Sequence, residues 1–433
     1  MKKILYSALG AVAIGAAALS LALAQVIVLP QVTAIQSTDL FQDIAGGQPQ
    51  AQNYYAPAAL LGNYGASLPG NNPENAIIGG DATTNLFQRA TTGSSVTTTI
   101  TYGGPDRWAY WSGASTAMTV SRDSTAADLP QNLTYQYGFK MARTSGQTGV
   151  VQTCMMQEVE TVNSIAFAGQ TAEIDFYATA GSNFSAAASS MTVVLISGTG
   201  TDEGVSKAAF NYNAGGGGSS TWTGQVNTAV TVPISTTNAR YTVAIPVPSA
   251  ATELGLALCW TPVGTAGTND YIALSGIQMT RNSALTAAAG TTGAVLPIND
   301  NRAKAFSRRM QQAETALQQR FYYELDESAA IYIVAPCSAI DTTHTNCIVQ
   351  LPVTMRAAPT LSFANGFASP TSTSQATLGA CTTLAAAATV TSTVASLNQI
   401  LVNCTATTIP AAGVASFLYS NNSTGKIKAS AEL

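Results

Sequence analysis

The chain has 433 residues, enough for two or three domains with a substantial core. Charged residues make up only 9% of it, against about 25% in an average soluble protein, and the net charge is −4. Beyond Lys2 and Lys3, its densest basic run is the pair Arg308 and Arg309, too little to neutralise a phosphate backbone, so the composition argues against a nucleic-acid partner.

Residues 1–24 carry the pattern of an export signal. Lys2 and Lys3 are basic, Ile4 to Leu21 is uncharged, and Ala22-Leu23-Ala24 sets small residues before Gln25. The same run is long enough to serve instead as a retained hydrophobic anchor, which takes about 20 apolar residues. Residues 25–74, rich in Gln, Ala, Gly and Tyr with little periodicity, read as an extended attachment arm that docks on a neighbouring subunit.

Over residues 75–285 short alternating runs are broken by Gly, Asn and Ser. They predict strands at 95–102, 117–121, 134–143, 150–160, 172–178, 191–197, 229–234, 240–247, 253–260 and 271–279. That spacing fits a β-sandwich or jelly roll rather than βαβ units. In the run 172–178, Ile174, Phe176 and Ala178 share one face and Glu173, Asp175 and Tyr177 the other.

Residues 286–325 form a linker with one helix, capped by Asn299 or Asp300. Phe306, Met310, Ala313, Leu317 and Phe321 make its apolar stripe, with Arg308, Arg309, Gln311, Gln312, Glu314 and Gln318 facing elsewhere. The helix is either a linker packed on its own domain or a short coiled coil that sets a homotrimer. Residues 326–433 read as a second β-domain, with strands at 330–335, 347–353, 360–363, 388–394, 399–407 and 413–419. Pro352 and Pro359 mark an edge or turn, and the Ala/Thr tract 369–396 is low in complexity.

Chemistry-bearing constellations are scarce. The only histidine, His344, lies in a Thr-rich stretch, which speaks against a Ser-His-Asp site. Gly215 to Ser220 lacks the Lys of a phosphate cradle. The carboxylate pairs Asp202 with Glu203, Glu158 with Glu160, and Glu173 with Asp175 read as turn or solvent-face residues rather than as a hydrolase's acid and base. No cofactor is expected, Ca²⁺ excepted, for which Asp202, Glu203 and Asp270 are the candidate oxygen ligands. Of the six cysteines, none has metal-ligand spacing. In an exported chain the expected disulfides are Cys337 with Cys347, Cys381 with Cys404, and Cys154 with Cys259; in a cytoplasmic one all are buried thiols. Sugars stack on exposed rings, so Tyr110, Trp111, Trp260 and above all Trp222, set among Thr, Ser and Gly, are the candidate glycan contacts. Trp108 reads as core, and Tyr322 and Tyr323 as braces between helix and sandwich.

Five motifs recur in a distinctive order: NAIIGGDATTNLFQR (75–89), PDRWAYW (105–111), QQRFYYEL (318–325), LPVTMRAAPT (351–360) and the terminal KASAEL, preceded by STDLFQDIAGGQPQA (37–51). Together they resemble minor structural proteins of tailed bacteriophages and prophages, of the tail-fibre-like kind. The succession AEIDFYATAG, MTVVLISGTGTDEG, ARYTVAIPVP and YIALSGIQM resembles the β-sandwich of carbohydrate-binding modules. The resemblance implies a non-enzymatic, trimeric virion appendage that contacts a cell-surface glycan and neighbouring virion proteins. Tailed-phage virion proteins assemble in the cytoplasm, and the export-like first 24 residues depart from that pattern. They support the alternative of a secreted or surface-displayed bacterial adhesin of prophage origin. A polysaccharide-degrading enzyme is the third reading.

Overall fold

A computed structural model describes residues 75–82, 87–89, 92–113, 118–130, 136–205, 221–298, 300–306, 308–327, 333–339, 344–364, 367–368, 397–405, 415–420 and 425–432. The expectations for residues 1–74, the Gly-rich run 215–220, the tract 369–396 with Cys381, and the Asn299 cap lie outside them.

The chain is mainly β. Its first part contributes β1 (Ser94–Val96), β2 (Thr101–Tyr102), β3 (Ala109–Ser112), β4 (Met118–Asp123), β5 (Gly138–Arg143), β6 (Thr153–Val159) and β7 (Thr171–Ala180). There follow β8 (Ser190–Gly198), β9 (Val226–Pro233), β10 (Ala239–Pro246), β11 (Glu253–Trp260), β12 (Tyr271–Arg281) and β13 (Ala294–Val295). They form two antiparallel sheets, β1-β4-β5-β12-β7-β10-β13 and β2-β3-β6-β11-β8-β9. The sandwich is closed by the alternation within each strand: Ile174, Phe176 and Ala178 of β7 and Val243 and Ile245 of β10 meet Leu254, Leu256, Leu258 and Trp260 of β11 in one core.

Both outer faces are covered, which a two-layer sandwich does not require. On the β6/β11 sheet the outward positions Trp111, Cys154, Met156, Val194, Ile196, Ala257 and Cys259 form a second apolar cluster under Val205 and Trp222. Cys154 and Cys259 are directly paired positions of β6 and β11 and are joined by a disulfide. On the other sheet the outward residues Glu173 and Asp175 are buried, not solvated as the alternation suggests. The linker lies across them: the Lys304 amide and the Asn282 side chain donate to Glu173, while Arg240, Thr242 and Gln278 donate to Asp175.

The expected strand at 253–260 matches β11 end to end, and most others match within a few residues. The run 95–102 instead splits into β1 and β2, which belong to opposite sheets. β3 has no counterpart among the expected strands, because Ala-Tyr-Trp-Ser is buried on both faces and shows no alternation. The first motif docks against a bulge in β12 between Ser275 and Gln278, where the Ile277 amide donates to the Gly80 carbonyl. A Cβ at Gly80 would stand 1.8 Å from the Ile277 carbonyl oxygen, so this approach requires glycine.

The helix α1 (Gln311–Gln319) is shorter than expected and turned the other way. Met310 precedes it and is 71% exposed, Ala313 is exposed and Leu317 half-buried, whereas Glu314 and Gln318 are buried. The stripe of Phe306, Met310, Ala313, Leu317 and Phe321 therefore does not form a single packed seam. Backbone satisfaction overrides the apolar periodicity: Glu314 accepts from the Gly79 amide and pairs with Arg309, and Gln318 accepts from Gln88 and donates to the Tyr322 carbonyl. Among the described residues no helix is long and apolar enough to cross a bilayer.

The C-terminal strands are β14 (Tyr322–Glu327), β15 (Ile333–Ala339), β16 (His344–Gln350), β17 (Thr360–Ala364), β18 (Phe367–Ala368), β19 (Gln399–Thr405), β20 (Ala415–Ser420) and β21 (Gly425–Ser430). They make a three-stranded sheet, β14-β21-β17, and a five-stranded one, β18-β20-β15-β16-β19, sharing a core of Val349, Ile400, Val402, Leu418 and Ile427. Cys337 and Cys347 face each other across β15 and β16 and are disulfide-bonded. The pairing of Cys381 with Cys404 lies outside the described side chains. Residues 351–359 are turns between strands, in keeping with Pro352 and Pro359. β14 and β21 have no counterpart among the expected strands.

Candidate binding site at the junction of the two β-regions

The five motifs, scattered over the whole described chain, meet in one place. Asp106, fully buried, accepts the backbone amides of Gln88 and Arg89 at 2.7 and 2.9 Å. Arg89 returns a bond to the Asp106 carbonyl, pairs with Glu432 at 3.0 Å, and lies 3.5 Å over the ring of Tyr322. Arg107, equally buried, donates to Glu432, to the Glu158 carboxylate at 3.3 Å and to the Glu158 carbonyl at 3.0 Å, with its guanidinium 3.6 Å over Phe321. The Tyr102 hydroxyl donates to Glu158 at 3.0 Å. The Ala431 amide bonds the Phe321 carbonyl and the Arg356 amide bonds that of Arg320, while Arg320 and Arg356 both reach Glu160. Sandwich, helix and C-terminal sheet are thus joined by a buried network of arginines and carboxylates in which each motif supplies an arm.

Above this network lies an open cleft of about 460 Å³. Arg89, Ser94, Tyr102 and Gly103 line it from the sandwich edge, and Tyr322, Thr360, Ser362, Lys428 and Ser430 from the three-stranded sheet. The strand register explains the second set. Tyr322, Ser430 and Thr360 are cross-strand partners, as are Glu324, Lys428 and Ser362, so their side chains share the face turned away from Leu325, Ile427 and Leu361.

The charges are layered. Among the described residues, those lining the cleft include two cations and no carboxylate, while Asp106, Glu158, Glu324 and Glu432 stand behind them. Burial pushes Asp106 up to about 6, against the pull of Arg89 and the two amides. Burial also raises Glu158, partly offset by Arg107. Burial and the neighbouring carboxylates hold Tyr102 and Tyr322 well above the ordinary phenol value, so both remain protonated donors. Glu324 accepts from Lys426 at 2.7 Å and from the Tyr322 hydroxyl at 2.6 Å, leaving Lys428 at a longer 3.8 Å.

The residues expected to hold a glycan are elsewhere. Tyr110, Trp111, Trp222 and Trp260 are only 1%, 3%, 2% and 2% exposed and offer no face for stacking. Tyr110 and Trp260 belong to the sandwich core, and Trp111 and Trp222 to the apolar cluster on the outer face of the second sheet. Trp222 finds cover there because residues 204–205 fold over it, the indole N–H donating to the Gly204 carbonyl at 3.1 Å. Trp108 is core, as expected.

The candidate Ca²⁺ ligands are not gathered either. Asp270 is buried against Arg143 at 2.8 Å and accepts from Ser185. Asp202 accepts the Thr161 amide and pairs with Arg356 at 2.9 Å. Glu203 binds Thr223 and lends its amide to Glu253. Among the described residues no group of three acidic, histidine or cysteine side chains converges. Glu158 and Glu160, expected on a solvent face, are buried in the junction, and Tyr322 braces Arg89 rather than α1, while Tyr323 packs against the C-terminal core. His344 opens β16.

Sequence reasoning passed over Arg89, Tyr102, Thr360, Ser362, Lys428 and Ser430. The available signal was the alternation Thr-Leu-Ser at 360–362 and Lys-Ile-Lys-Ala-Ser at 426–430, which puts every polar residue on one face.

No model of a known protein family matches the chain, and no curated protein matches it. Among solved structures, the enzymatically active domain of tailspike protein 4 of bacteriophage CBA120 is similar at 12% identity and a TM-score of 0.29, over 48% of this chain and 21% of that one. The C-terminal family 22 carbohydrate binding module of Clostridium thermocellum Xyn10B is similar at 13% identity and a TM-score of 0.23, over 43% of this chain and 96% of the module. A Stig cyclase from Fischerella sp. TAU is similar at 11% identity and a TM-score of 0.29, over 48% of this chain and 98% of the cyclase. The chain thus spans about a fifth of the tailspike domain's length. At these scores the likenesses carry nothing about ligand or activity.

Proposed function

We propose that this is a non-enzymatic structural protein of a tail-fibre-like virion appendage that binds a cell-surface glycan in the junction cleft. The lining of that cleft carries the reading. It combines phenol rings, a row of hydroxyls and two cations, the mixture of donors, acceptors and apolar edges that a sugar engages. Hydrolysis of a glycosidic bond uses two carboxyls about 5–10 Å apart across the bond. A described lining without any carboxylate favours holding a glycan over cutting it. The order of the five motifs supports a place in a virion among other virion proteins. The outward apolar residues Met310 and Ala313 of the helix region are where copies of the chain would meet as a trimer. The reading needs no cofactor.

A glycan array probed with the protein and with Ser362→Trp tests it. The bulky ring fills the cleft from an exposed position and leaves the buried contacts of Arg107 with Glu158 and Glu432 in place. Binding by the parent and its loss in the variant, with unchanged melting temperature, is the expected result. Equal binding by both proteins would move the glycan site elsewhere, and release of reducing ends from any bound glycan would restore the enzymatic reading.

An exported or surface-displayed adhesin is the second reading, favoured by the disulfides Cys154–Cys259 and Cys337–Cys347, since such bonds persist in oxidising compartments. Protein sequencing of material from its native source separates the two: a chain starting at Gln25 on the cell surface supports the adhesin, and one retaining Met1 in particles supports the appendage.

A further inference from the structure

The layering of charge at the cleft says more about the ligand than its lining alone. Lys428 projects from the central strand of the three-stranded sheet with its side chain 38% exposed. Its ammonium has one partner among the described residues, Glu324 at 3.8 Å, beyond hydrogen-bond range. Glu324 is already engaged at both oxygens by Lys426 and the Tyr322 hydroxyl, so it balances Lys428 only at a distance. Beside Lys428 in the register stands Ser362, and one row along stand Ser430 and Thr360, whose hydroxyls take no protein partner among the described residues. Arg89 supplies the facing wall, one side of its guanidinium covered by Tyr322. Among the described residues, a ligand entering the cleft therefore meets ammonium, guanidinium and hydroxyls first, with Asp106, Glu324 and Glu432 behind them.

From this arrangement we infer that the cleft selects an anionic saccharide carrying one negative charge per sugar, a uronate being the simplest, whose charged group is taken by Lys428 and the hydroxyls of Ser362 and Ser430. The inference rests on the cleft being a glycan site. A dianion is a poorer match, because among the described residues Lys428 is the cleft cation left without a carboxylate in hydrogen-bond range, Arg89 being paired with Glu432. Neutral sugars offer Lys428 only hydroxyl, ring or ester oxygens, which lack the charge assistance a carboxylate gives.

Titration calorimetry with oligogalacturonate, its neutral methyl ester and a sulfated oligosaccharide of similar length tests the inference on the full chain and on Lys428→Gln. The parent should bind oligogalacturonate about tenfold more tightly than the ester, the scale of one charge-assisted hydrogen bond, and lose affinity as salt rises. Lys428→Gln should erase that preference by bringing the affinity for oligogalacturonate down to that for the ester, with an unchanged melting temperature. Tighter binding of the sulfated sugar would keep the anionic class and replace the uronate. Equal binding of ester and acid, or an acid preference that survives in Lys428→Gln, overturns the inference while leaving a cleft that Ser362→Trp still blocks. Binding of none of the three by the parent, together with an array that binds other glycans, also overturns it; an empty array removes the glycan reading itself.

Discussion

The sandwich interior and the junction beneath the cleft are built by opposite chemistry. The interior packs Ile, Leu, Val, Phe and Met from two sheets, each side chain gaining by leaving water and each replaceable by another of similar volume. The junction buries Arg107 with Glu158 and Glu432, and Arg89 with Asp106 and Glu432, groups that gain by burial only while every partner stays. One region tolerates change and the other specifies geometry. The largest effect should therefore come from Arg107→Ala, which strands two carboxylates and uncovers Phe321, at about 3–5 kcal/mol in chemical denaturation. Ile174→Val in the core should cost only about 0.5–1.5 kcal/mol. A triple variant, Arg107→Leu with Glu158→Gln and Glu432→Gln, should recover much of the loss, because the penalty belongs to the unpaired charge. Should Arg107→Ala prove no worse than Ile174→Val, the contrast fails.

The disulfides give a second, smaller test of the same division. Cys154–Cys259 closes a separation of 105 residues between adjacent strands of one sheet, Cys337–Cys347 one of 10 residues within a hairpin. In the chain-entropy picture the longer loop contributes more, within a typical span of about 2–4 kcal/mol. Paired Cys→Val changes at 154 and 259 should lower the melting temperature clearly more than paired changes at 337 and 347. An equal drop would show that local packing, rather than loop closure, sets the effect.

The same division marks what could be seen in the sequence. Strands such as Glu253–Trp260 were legible because Leu254, Leu256 and Leu258 alternate with smaller residues, and alternation is what a sheet face imposes. β3 was not, because Tyr110 and Trp111 are buried on opposite faces and Ala-Tyr-Trp-Ser, buried throughout, shows no period. The motifs that drew attention as signatures turned out to meet in the junction, but nothing local says that Arg89, Asp106 and Glu432 are neighbours. α1 shows the limit most sharply. Its apolar spacing was real, yet Glu314 and Gln318 went inward because the Gly79 amide and the Tyr322 carbonyl had to be satisfied, and such demands come from residues more than two hundred positions away or from the next strand. Trp222 is buried for a related reason: a lone Trp among small residues loses its exposure as soon as a neighbouring sheet offers an apolar outer face.

Buried acids make the contrast pH-dependent. Burial and the adjacent Asp175 push Glu173 up to about 8. Burial, opposed by the Glu203 amide and reinforced by the Glu203 carboxyl, puts Glu253 at about 7. Both lie above the ordinary value of 4.5. The folded chain then holds protons that the unfolded chain has released, so stability is fully present below about pH 4.5 and falls as pH rises through about 7 and 8. The melting temperature should decline from about pH 5 to about pH 8, and Glu173→Gln with Glu253→Gln should flatten that decline. A rise over the same interval would mean that both acids are ionised and paired in the folded state.

The smallest expected change in stability belongs to the helix region and bears on assembly. Met310 is exposed and caps α1 only through its backbone carbonyl, which a substitution keeps, so Met310→Lys should shift the stability of a single chain by no more than about 0.5 kcal/mol. If copies associate through this face, the same substitution should abolish the larger species in light scattering while the melting curve of the dilute protein stays in place. Loss of stability and of assembly together would instead show that the face packs within its own chain. An unchanged assembly would move the contact away from α1, leaving its outward apolar residues as ordinary surface.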